Sequence, residues 1–186
     1  MAAPDAWTEE ALINLNDGKT DMAIHAITET IDIEMGDKPM ESIATLGAGR
    51  IKKFSPQEDA TITFEGYPIG IGDIESTTPV GLVAFFHGGT DTVAPFTATS
   101  STTRKTFTVT VMWTDSTATS ATESIASTKY ALRYNFANCD MISCKPSFTD
   151  GILKATWVFK CPPFTKAGVG NITVESTDGS ASMPSI

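Results

Sequence analysis

The chain has 186 residues, 41% hydrophobic and 19% charged, with a formal net charge of −9. That length suits one domain covering 1–186, and the hydrophobic share excludes wholesale disorder. No apolar run nears the ~20 residues that cross a bilayer, and the acidic balance without a basic block argues against gripping nucleic acid through its phosphates.

Residues 1–17 lack a basic start and an apolar stretch and carry Glu9-Glu10, so they do not read as a secretion signal. Residues 1–20, with Trp7 and Leu12, are predicted to form an N-terminal arm or short helix that docks on a neighbour. From Asp21 to Met35 apolar residues alternate, with a change of phase near Ile27 and Thr28. The spacing predicts one long, bulged strand. Gly36-Asp37-Lys38-Pro39 reads as a turn that opens a long loop over 36–50, unusual for holding Met40, Ile43 and Leu46.

Ile51 to Phe54 and Ala60 to Tyr67 read as strands, with Ile62 and Phe64 opposed to Thr61, Thr63 and Glu65. Thr77-Thr78-Pro79, the apolar run to Phe86 and then Gly88-Gly89 predict a short buried helix with its cap and stop. Lys105 to Trp113 alternates most clearly. Asp115 to Thr128 is small, polar and low in complexity, and reads as a mobile loop or hairpin tip. Strands follow at Tyr130 to Phe136, Met141 to Lys145, Ile152 to Lys160 and Ile172 to Glu175, and a polar tail over 176–186 is expected to fray. The pattern is mainly β: an antiparallel β-sandwich or barrel with one flanking α-helix and long assembly loops.

Three cysteines, Cys139, Cys144 and Cys161, are too few for a disulfide scaffold and read as buried thiols. A bridge from Cys161 to Cys139 or to Cys144 across paired strands stays open. The spacing of Cys139 and Cys144, with no histidine beside them, does not suit zinc. His25 lies in an alternating strand and reads as a solvated or interface residue. His87-Gly88-Gly89 resembles the oxyanion loop of lipase-like hydrolases, but no Gly-x-Ser-x-Gly elbow accompanies it. Gly47-Ala48-Gly49 and the glycines of 66–72 lack the strand–loop–helix setting of a phosphate cradle. Asp32 and Glu34 are spaced as a glycosidase pair could be, yet such pairs are usually solvated strand edges. Trp113 and Trp157 read as core. No catalytic constellation, cofactor or metal is expected, and the chain is read as no enzyme.

Two stretches carry a likeness. Ile31 to Lys38 leads into Gly49-Arg50-Ile51-Lys52-Lys53-Phe54-Ser55-Pro56-Gln57-Glu58-Asp59 and on to Pro68. Thr149 to Phe164 then precedes a Gly-rich turn and Ile172-Thr173-Val174-Glu175. In this order of elements the chain resembles the major tail protein, or tail tube protein, of tailed viruses. The resemblance implies copies that close into hexameric rings and stack into a hollow tail tube delivering the genome. It also implies tape measure, tail terminator and baseplate proteins as partners, no membrane, and a place in the virion after assembly in the host cytoplasm. DNA would pass without specific binding, helped by an anionic bore; Asp32, Glu34 and Glu65 are the lumen candidates. Met40, Ile43 and Leu46 are the candidates for contact between rings. Competing readings are an Ig-like surface-layer or adhesin domain and, after it, a carbohydrate-binding module.

Overall fold

Alternating apolar and polar residues give this chain extended backbone, and pairing satisfies its N–H and C=O groups. The computed structural model describes residues 10–18, 21–25, 30–46, 49–66, 106–149 and 151–186. Its strands are β1 (Glu10–Asn16), β2 (Asp21–His25), β3 (Asp32–Glu34), β4 (Met40–Ala44), β5 (Arg50–Phe54), β6 (Ala60–Gly66), β7 (Thr106–Thr114), β8 (Tyr130–Thr149), β9 (Ile152–Cys161) and β10 (Ile172–Asp178). The main sheet runs β2-β1-β7-β8-β9-β6-β3, with β10 added beside β8, while β4 and β5 form a separate two-stranded sheet. The strand pairings within both sheets are antiparallel. The fold is mainly β, as expected. The helix expected over 77–87 lies outside the described residues.

Four expectations are corrected. Residues 10–16 are no arm: β1 lies between β2 and β7, and Leu12 is buried in the subunit itself. Residues 11–15 are buried on both faces, which removes the alternation that marks a strand. The single long strand over 21–35 is two: β2 forms one edge of the sheet and β3 the other. The 36–50 loop is instead the first strand and turn of the β4–β5 hairpin. The tail expected to fray (176–186) is instead packed on the 115–128 segment, which is the hairpin tip that the sequence allowed, joining β7 to β8. Ile125 and Met183 are buried and exchange backbone hydrogen bonds of 2.9 Å in both directions.

β8 organises the sheet. Its first half pairs with β7 on one side and β10 on the other, and its second half pairs with β9. The change of neighbour falls at Ala137 and Asn138. There β8 holds one residue more than β7, between the pairs Phe107–Cys139 and Val109–Phe136. Asn138 takes the surplus in a left-handed conformation (φ 57°), which asparagine tolerates better than most residues. Asn171 fastens the junction: its carbonyl accepts from the Ala137 N–H at 2.8 Å, and its side-chain oxygen accepts from Asn138 Nδ2 at 2.8 Å. A second surplus residue falls at Ile142, opposite β9.

The main core lies on one face. Ile13, Leu15, Ile62, Phe64, Val109, Val111, Phe136, Trp157 and Phe159 are fully buried there. Phe64 stacks on Phe159 at 5.9 Å, and Phe107 meets Phe159 edge-on at 5.7 Å. On the other face a smaller cluster of Leu12, Met112, Ala121, Ile125, Ala131 and Met183 lies under the 115–129 segment and the C-terminal residues. Asn14 pins this cover, accepting from the Ala121 N–H at 2.8 Å and donating to Asp21 at 3.1 Å. Asn14→Ala leaves a buried N–H unpaired, so urea titration is expected to show a loss of about 2 kcal/mol.

Candidate functional site

The β4–β5 hairpin projects with little of its own surface covered. Its facing pairs are Met40–Phe54, Glu41–Lys53, Ser42–Lys52, Ile43–Ile51 and Ala44–Arg50. Thr45 closes the turn, its N–H and hydroxyl both donating to the Gly49 carbonyl at 3.0 and 2.9 Å. Facing residues of an antiparallel pair share a side of the ribbon. One side therefore carries Met40, Phe54, Lys52 and Arg50, and the other Ile43, Ile51, Glu41 and Lys53. All residues of both strands are exposed; Ile51 keeps 60% and Phe54 56% of its surface in solvent, and Leu46 is fully exposed at the turn.

The hairpin is also charged against the rest of the molecule. Between residues 38 and 54 Lys38, Arg50, Lys52 and Lys53 stand against the lone carboxylate Glu41, in a chain of net charge −9. At the root the sign reverses, with Glu34, Asp37, Glu58 and Asp59 all exposed. The root itself is held firmly. The Ser55 N–H donates to the Pro39 carbonyl and the Glu58 N–H to the Asp37 carbonyl, both at 2.9 Å. Gly36, at φ 59°, sits where any side chain would run into the carbonyls of Glu58 and Asp59. Lys38 lies 5.8 Å from the Phe54 ring centroid, a cation–π contact that steadies the exposed aromatic.

The structure does bring Asp32, Glu34 and Glu65 to one sheet face, the side of β3 and β6 opposite Ile33, Ile62 and Phe64. Asp32 and Glu34 are exposed, while Glu65 is half-buried and accepts from Thr156 Oγ1 at 3.4 Å. The registers of β6, β9 and β8 place Lys154, Lys160, Asp140 and Lys145 on that same face. It is accordingly polar and of nearly balanced charge, less anionic than the acidic residues alone suggested.

Of the cysteines, Cys139 and Cys161 are fully buried, Cys144 is half-buried, and all are free thiols. Desolvation pushes the Cys144 thiol up. A hydrogen bond between the other two raises Cys139 and lowers Cys161. Asn171, which opens the sequence Asn171-Ile172-Thr173, spends its side chain on Pro162 and Asn138 inside the fold. Among the described residues no three His, Cys, Asp or Glu side chains gather as a metal set.

Arg133 was not singled out in the sequence, where it alternates with Tyr134 and Phe136. It is 1% exposed. Its guanidinium donates to Glu175 at 3.0 Å through Nε, to the Glu123 carbonyl at 3.1 Å and to the Pro184 carbonyl at 2.6 Å. One side chain thus holds β10, the 115–129 segment and the C-terminal residues. The signal for it was an opposite charge, Glu175, on the last predicted strand.

At the level of sequence the chain matches no family model and no curated protein. Its fold is similar to that of solved structures. A chain of the sheath–tube complex of the PVC extracellular contractile injection system, in the extended state, superposes with a TM-score of 0.53 at 8% identity, covering 95% of each chain. A chain of the sheath/tube terminator of that system gives 0.53 at 9% identity, covering 94% of this chain and 99% of that one. A chain from the anti-feeding prophage baseplate gives 0.55 at 8% identity, covering 94% and 97%. The protein has a tail-tube-like fold.

Proposed function

We propose that this chain is a structural, non-enzymatic subunit that assembles with copies of itself into stacked, hexameric rings, forming the hollow tube of a tailed virus or a related injection particle. The exposed β4–β5 hairpin carries this reading. A soluble domain seldom leaves Met40, Ile43, Leu46, Ile51 and Phe54 together in water on a firmly rooted arm unless another surface covers them. The tail-tube-like fold supplies the context.

In this reading the hairpin docks on the adjacent ring, burying Met40, Ile43 and Leu46. Its cations suit a neighbour whose surface is otherwise acidic. The face with Asp32, Glu34 and Glu65 lines the bore, where polar side chains without a cationic excess let DNA slide without adhering. Tape measure, terminator and baseplate proteins are the expected partners, the virion tail the location, and the host cytoplasm the place of assembly.

Electron microscopy of the concentrated, purified protein tests the proposal. Hollow filaments of uniform width are expected. Monomers at every concentration, with or without binding to a glycan array, would favour the carbohydrate-binding or Ig-like surface-domain readings instead.

A further inference from the structure

We propose that Cys139 and Cys161 form a redox site, which a peroxide closes into a cross-strand disulfide joining β8 to β9 beside the Asn138 bulge. The site belongs to the subunit alone and stands whether or not tubes form. Its basis is register. The β8–β9 ladder runs through Met141–Phe159 and ends at Asp140–Lys160, and Cys139 and Cys161 are the next residue on each strand, which continued register would set face to face. Facing residues of an antiparallel ladder have Cα atoms about 4.5–5.5 Å apart, inside the roughly 4.4–6.8 Å that a disulfide spans. Both side chains lie in the main core, on the same face.

The sulfurs also converge on one spot. Cys139 Sγ donates to the Phe136 carbonyl at 3.3 Å and Cys161 Sγ to the Ala137 carbonyl at 3.2 Å, neighbouring carbonyls at the start of the bulge. Once Cys161 ionises, its sulfur can accept from the neighbouring Cys139 thiol, which favours the thiolate at Cys161. Cys144 is excluded as the partner of Cys161. It faces Trp157, four residues along β9 and roughly 13 Å from Cys161 at strand spacing.

The chemistry balances with hydrogen peroxide as the two-electron oxidant. The Cys161 thiolate attacks one peroxide oxygen, the O–O bond breaks, and the released hydroxide takes up a proton to leave as water. The resulting sulfenic acid is then attacked by the Cys139 sulfur. The S–S bond forms, the S–O bond breaks, and the Cys139 proton leaves with the hydroxyl as a second water. Two thiols and one peroxide give one disulfide and two waters.

The test is peroxide treatment of the folded wild-type protein and of Cys144→Ala, then denaturation, thiol alkylation and peptide mass mapping. The expected result is a Cys139–Cys161 cross-linked peptide, 2 Da lighter than the sum of its thiol forms, with Cys144 still alkylated in the wild type. Tm should rise by about 5 °C or more and return to its starting value with dithiothreitol. The proposal is overturned if Cys161 gains oxygen while Cys139 remains alkylatable, if Cys144 is found in the bridge, or if both thiols survive prolonged exposure.

Discussion

Aspartate at Leu46 and Ile51 together is expected to abolish tube formation while leaving the subunit folded. Leu46 is fully exposed and Ile51 largely so, and neither contributes to either core. Unfolding by heat should therefore shift by no more than about 2 °C, since surface substitutions stay within about 0.5 kcal/mol. Assembly is a different matter. Covering each exposed Leu or Ile is worth about 1.5–3 kcal/mol, and a carboxylate carried into an apolar contact adds a desolvation cost of its own. Losing some 4 kcal/mol per docking event raises the concentration needed for assembly roughly a thousand-fold. Sedimentation velocity should show a small species at concentrations where wild type pellets as filaments. Aspartate-bearing protein that still yields normal tubes would remove the hairpin from the contact.

Glu175→Ala is expected to cost more stability than Arg133→Met. The two residues face each other across β8 and β10, but they are unequally buried: the arginine side chain is wholly enclosed and that of the glutamate is about a third exposed. Removing the acid strands a permanent positive charge with only the Glu123 and Pro184 carbonyls for company. Breaking a buried pair in this way costs about 3–5 kcal/mol, or some 10 °C in Tm for a chain of this size. Methionine at 133 removes the charge itself and places apolar volume beside Met112, which pairs with Arg133 in the ladder. Thermal scans of the two variants and of the double replacement decide the order. A double variant more stable than Glu175→Ala alone is the expected signature of a stranded charge.

These outcomes trace which parts of the molecule could be read from composition and spacing. β7 was legible because Phe107, Val109 and Val111 all enter one core with mostly threonine between them. β6 was legible for the same reason, its burial alternating strictly along its length. β1 was not, because a central strand buried on both faces carries no period of two. The β4–β5 hairpin was half visible. Exposed on both sides, it has no buried phase to display, and only its surplus of apolar residues gave it away. The C-terminal residues were misread because their packing rests on single side chains. Met183 fills the second core and Arg133 reaches Pro184 from another strand, so no window of sequence contains the pattern. Asp32, Glu34 and Glu65 share one sheet face because each falls on the same phase of β3 and β6. The lysines that share it lie on β8 and β9 and join it only through register.

A strand that carries a surplus residue against two of its three partners cannot stay straight. With one extra position against β7 and another against β9, β8 must bow at Asn138 and again at Ile142. The bend of the main sheet is thereby written into its longest strand. That bend belongs to the isolated molecule and would be in place before any neighbour arrived.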